Sequence, residues 1–124
     1  MDICLGVALA SAVVLRLPSP VTLSWTHSVE HFRIEEQWQA AAQGLVLQET
    51  RIEGLGAGVD LPADARRIGG AWHFTPALAP QAQVRLANSR FAAGYRVCSA
   101  AGCAALNDLA GGTDAVVTMT VCPH

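Results

Sequence analysis

The sequence predicts an all-β domain, an antiparallel sandwich or small barrel of about eight or nine short strands. Three observations carry that reading. Apolar and polar residues alternate with period two in successive segments. Glycine and proline clusters separate those segments at the spacing of about 8–12 residues usual for such folds. Four cysteines, two of them almost at the termini, suit a domain stapled by disulfides.

The longest apolar run extends from Ile3 to Leu15. It lacks the cationic segment of a signal peptide. It is also shorter than the roughly 20 residues a membrane helix needs. It reads as two strands, residues 3–8 and 13–17, around a turn near Ala10 and Ser11; a trimmed export signal is the alternative. Residues 21–28 (VTLSWTHS) alternate Leu23, Trp25 and His27 against Thr22, Ser24 and Thr26. Residues 33–40 place Ile34, Glu36 and Trp38 on one face and Arg33, Glu35 and Gln37 on the other. Residues 44–52 set Leu45, Leu47, Glu49 and Arg51 opposite Val46, Gln48, Thr50 and Ile52.

From Glu53 to Gly70 the alternation breaks, and the glycines there predict a long irregular loop. Residues 71–75, 83–87, 95–99 and 116–121 are the remaining strands. The prolines at 18, 20, 76, 80 and 123 fall at edges or joints, where a missing N–H is tolerated. The stretch QWQAAAQ holds good helix formers, but it is short and Gly44 follows, so it reads as strand plus turn.

A chain of 124 residues fits one domain, residues 1–124. Its 52% hydrophobic content excludes intrinsic disorder. The net charge is only −2, and all eight basic residues are scattered arginines. No nucleic-acid partner is expected from that pattern. No cofactor is implied either. Gly54-Leu-Gly-Ala-Gly58 lacks the Lys and Ser/Thr of a phosphate loop. Trp25, Trp38 and Trp72 are expected in the core.

Four cysteines allow three pairings, which sequence alone does not resolve. A Gly-containing turn between Cys98 and Cys103 favours their pairing across a hairpin, which leaves Cys4 with Cys122. The second bond would seat the amino-terminal run as a strand beside the last one. Disulfides require an oxidising compartment, so a periplasmic or membrane-exterior location is expected. A zinc site and reduced cytosolic thiols are the competing readings.

The polar residues Thr26, His27, Ser28, Glu30, Glu35, Glu36, Glu49 and Arg51 cluster in and beside one hairpin, residues 21–40 turning near 30–32. Three chemistries suit them. His27, Glu30, Glu36 and Glu49 are candidate ligands for a cation. Catalysis is disfavoured, because strand neighbours such as His27 and Ser28 point to opposite faces. A polar network for structure or recognition is the third, with Arg51 pairing Glu36 or Glu49.

In this order, Leu23-Ser-Trp-Thr-His-Ser-Val-Glu30, Glu35-Glu36-x-Trp38, Gly44-Leu-Val-Leu, Glu49-Thr-Arg51, Gly56-Ala-Gly58 and Gly70-Ala-Trp72 resemble the DUF1850 family, a bacterial domain of unknown function. The resemblance covers about Val21 to Leu86. Gly54-Leu55 before the G-A-G segment and Val59 after it are mild departures from the family pattern. The resemblance implies a genomic association with tripartite TRAP-type transporters of the TAXI class. It implies no established activity, so the expected role is a non-enzymatic binding or interaction module. The T-H-S-V-E and G-A-G segments, including Gly56 and Gly58, are the candidate contact surface. The alternative is a cation-binding β domain.

Overall fold

A computed structural model describes residues 1–7, 13–26, 32–54, 61–88, 93–106, 108 and 115–123. Eleven strands lie within them: β1 (Asp2–Val7), β2 (Val13–Pro18), β3 (Val21–Thr26), β4 (Arg33–Ala41), β5 (Gly44–Ile52), β6 (Arg66–Ile68), β7 (Ala71–Phe74), β8 (Gln83–Asn88), β9 (Ala93–Ser99), β10 (Gly102–Ala105) and β11 (Ala115–Val121). They form two antiparallel sheets. One has the order β2-β1-β11-β8, and the other the order β10-β9-β3-β4-β5-β7-β6. Neither sheet closes on itself among the described residues, so the architecture is a sandwich and not a barrel.

The core lies between the sheets. Ile3, Leu5, Val117 and Met119 of the smaller sheet face Val21, Leu23, Leu45 and Val97 of the larger, all with no exposed surface. Two partly covered aromatics, Trp25 and Tyr95, extend this core, with ring centroids 5.1 Å apart. Trp38 is buried as expected. Trp72 is not: it is half-buried outside the core cluster, with the Arg67 guanidinium 5.9 Å above its ring.

Both expected disulfides are present, Cys4–Cys122 and Cys98–Cys103. β1 pairs β11 with Ile3 opposite Val121, so the amino-terminal run takes the place predicted for it. Cys98 and Cys103 are directly opposed across β9 and β10. No helix among the described residues is long and apolar enough to cross a membrane.

Two strands escaped the alternation. β10 is short and mostly exposed. β6 falls within the segment read as irregular loop, because Arg66-Arg67-Ile68 has no apolar face. Gly69 and Gly70 join it to β7 with φ of 58° and 83°. Two successive positive φ angles are what a tight hairpin between twisted strands requires.

β5 also departs from the alternation expected of it. The ladder with β4 shifts between Gln37 and Trp38, where Gln37 faces Glu49 but Trp38 faces Leu47. Gln48 is the extra residue of a β-bulge. The bulge flips the alternation, so Leu45, Leu47, Thr50 and Ile52 are buried while Glu49 and Arg51 face outward. The sequence pattern had grouped Leu45 and Leu47 with Glu49 and Arg51.

Candidate functional site

The outward face of the larger sheet carries one line of polar groups. Directly opposed residues of an antiparallel ladder share a face. Glu35 on β4 opposes Arg51 on β5, and Arg51 opposes His73 on β7. His73 in turn opposes Arg66 on β6. The bulge at Gln48 brings Glu49 onto the same face. Without that extra residue, a continuous alternation from Leu47 would turn Glu49 and Arg51 into the core.

The contacts run along this line. Arg33 Nη2 lies 3.5 Å from Glu35 Oε2. Arg51 Nε lies 3.9 Å from Glu35 Oε1 and 3.7 Å from Glu49 Oε1. His73 Nδ1 is 2.8 Å from Glu49 Oε1, the shortest contact of the group. The carboxylate can only accept, so Nδ1–H donates to it, and the other ring nitrogen makes no contact with Glu49. Arg51 Nε is buried and has no hydrogen-bond partner at this geometry. Its charge is held between two carboxylates, close enough for attraction but beyond hydrogen-bond reach.

Beyond His73 the face dips into a cavity of about 250 Å³, lined by Glu49, Asp64, Arg66, Ile68, His73, Phe74 and Thr75. A second hollow on the same face lies against the Cys98–Cys103 hairpin and touches Thr22, Gln37 and Arg51.

Glu36 stands apart from this line. It opposes Leu23 and Thr50, both buried, so its carboxyl faces the core side of the sheet. Desolvation by burial raises its pKa, and the Trp38 indole N–H, which donates to Glu36 Oε1 at 3.5 Å, offsets this in part. Burial also raises the Tyr95 pKa, with the Glu36 charge adding to it.

The residues singled out from sequence therefore divide. Glu35, Glu49 and Arg51 come together. Arg51 pairs with Glu49 and Glu35, not with Glu36. Thr26 is on the sheet at the end of β3 and lines a separate hollow with Ser24, Arg33 and Arg96. His27, Ser28, Glu30, Gly56 and Gly58 lie outside the described residues. Of the four candidate cation ligands, Glu36 and Glu49 send their side chains to opposite faces, so the set does not converge. Among the described residues, no group of three or more His, Cys, Asp or Glu side chains is placed to hold a metal ion. His73, Asp64 and Arg66 were missed. The alternation of AWHFT marked His73 as a strand residue, but its place opposite Arg51 depends on a long-range pairing that local pattern does not encode.

A family model described as a domain of unknown function, DUF1850, matches residues 21–106. The match takes in β3 through β10 and with them every residue of the polar line. No curated protein and no solved structure matches.

Proposed function

The chain belongs to the DUF1850 family, and from that membership we propose that it is a non-enzymatic accessory module of a TRAP–TAXI solute uptake system. It acts outside the cytoplasmic membrane and binds through the outer face of its larger sheet. The observation that carries this reading is the Arg33–Glu35–Arg51–Glu49–His73 line. Charges of both signs are fixed on three paired strands, so a partner with complementary charges meets them already ordered. The genomic association implied by the family resemblance supplies the class of partner. Two disulfides suit an oxidising compartment. Glu36 and Glu49 face opposite sides of the sheet, which argues against the cation alternative.

The test is recovery of transporter membrane subunits by the tagged, oxidised protein from native membranes that contain a TRAP–TAXI system. Wild-type protein is expected to retain them. Arg51→Glu puts like charges side by side at the centre of the line and is expected to lower recovery about tenfold or more. Failure of the folded wild-type protein to recover any transporter subunit overturns the reading.

A further inference from the structure

The cavity beyond His73 has features that the partner reading does not use. Asp64 and Arg66 stand at it with opposite charges, and neither makes an ion pair with any described residue. They are exposed, so each is hydrated in the free protein. The Glu49–His73 pair forms a third polar element, with the imidazole fixed through Nδ1 and its second nitrogen left without a partner among the described residues. Ile68, on the same face as Arg66, supplies apolar surface at the cavity. At about 30 Å³ per water in the liquid, a space of about 250 Å³ holds several waters or one small organic molecule.

We propose that this cavity binds a small zwitterion carrying a carboxylate and a protonated amine, an amino-acid-like solute. The Arg66 guanidinium takes the carboxylate in its planar fork. The Asp64 carboxylate takes the amine. The second nitrogen of His73 hydrogen-bonds to one end of the ligand, and Ile68 lies against its carbon atoms. A simple anion would leave Asp64 close by and repelling. A simple amine would meet the same opposition from Arg66. A ligand with both charges satisfies the two at once, and this two-sign requirement sets its class.

Backbone pairing holds Arg66 and His73, while Asp64 stands in the turn just before β6. Arg66 opposes His73, and His73 opposes Arg51, across the β6–β7–β5 ladder. The groups of the site are half-exposed or exposed, so each contact is individually weak. A dissociation constant on the order of 0.1–1 mM is therefore expected.

The experiment is an NMR titration of the intact, oxidised, isotope-labelled chain with glycine, L-serine and L-glutamate, alongside acetate and methylammonium as half-ligands. Expected are saturable shifts of the amides near Glu49, Asp64 and His73 for at least one amino acid, with affinity at least tenfold above either half-ligand. Asp64→Ala and Arg66→Ala should each weaken binding fivefold or more. Asp2→Ala, on the other sheet, should leave it unchanged. Absence of saturable shifts for all three amino acids overturns the proposal. So does acetate binding as tightly as the amino acids with Asp64→Ala neutral, which describes an anion site instead. Retention of near-ultraviolet circular dichroism by the variants confirms that loss of binding is not loss of fold. The measurement uses the protein alone, so failure to capture a transporter leaves this proposal standing, and the reverse holds too.

Discussion

Glu36 and Glu35 are neighbours in sequence and opposites in environment. The two-residue period of the strand sends Glu35 to the hydrated face beside Arg33 and Arg51, and Glu36 to the inner face between Leu23 and Thr50. Burial raises the Glu36 pKa, so the folded state holds this proton to higher pH than the unfolded chain does. Between the unfolded value, about 4.3 for a glutamate, and the raised folded value, the folded state binds more protons than the unfolded state. Stability therefore falls as pH rises through that window, and the loss persists above it. Glu36→Gln keeps an acceptor for the Trp38 N–H and removes the charge. It is expected to raise the urea midpoint at pH 7, with the gain shrinking as pH falls through that window and gone below about pH 4. Urea unfolding of both proteins at pH 4 and pH 7 checks this. An equal difference at the two pH values would show that the Glu36 charge is not what burial penalises.

The turn that opens β5 depends on a residue with no side chain. Gly44 has φ of 128°, and a Cβ built there lies 2.6 Å from the backbone oxygen of Gln81. Leu45 and Gln81 exchange two backbone hydrogen bonds at 2.8 Å, which fasten the chain before β8 against the start of β5. Gly44→Ala forces either the backbone of Gly44 or that of Gln81 to move. A cost of about 1–3 kcal/mol is expected, measured as a lowered urea midpoint with unchanged slope. An Ala variant as stable as wild type would mean that the Gln81 segment shifts freely and does not fasten β5. At this scale, much of the fold was legible in the sequence. Val21–Thr26 and Arg33–Ala41 were legible because each turns one set of residues, Val21, Leu23, Trp38 and Ala40, into the core. Arg66–Ile68 gave no signal because it is an exposed edge strand that buries no face. The bulge at Gln48 was hidden for a different reason. An extra residue is defined by what stands opposite it, and the partner strand is not part of the local pattern. The candidate site shared that fate. Glu35, Glu49 and Arg51 were recognisable as charges on adjacent strands, whereas His73 and Arg66 joined them only through the pairing of β7 with β5 and β6.

Over the whole molecule, the two disulfides act on very different lengths of chain. Cys4–Cys122 spans 118 residues, while Cys98–Cys103 spans 5. Loop-closure entropy grows with the logarithm of that length, so in the chain-entropy model the first bond is worth about 5 kcal/mol and the second about 2 kcal/mol. Packing widens the gap. Cys4 and Cys122 are nearly fully buried at 4% and 5% exposure, so their loss also leaves unfilled space. Cys103 is exposed, and its loss leaves none. The long bond also joins β1 to the end of β11, and those strands occupy the middle of the smaller sheet. Opening it loosens that sheet as a unit, including its contacts with the larger sheet across the core. The larger sheet, which carries the polar line and the cavity, keeps its own ladder from β9 to β6. Cys4→Ala with Cys122→Ala is therefore expected to cost more than twice what Cys98→Ala with Cys103→Ala costs. Urea unfolding of each double variant under non-reducing conditions gives the comparison. Equal losses would show that the native-state geometry of the short bond, and not chain entropy, decides its contribution. The short-bond variant carries a second consequence. Cys98 and Arg51 line the same hollow of the outer face, with Thr22 and Gln37 between them, so opening that bond should perturb partner recovery more than overall stability.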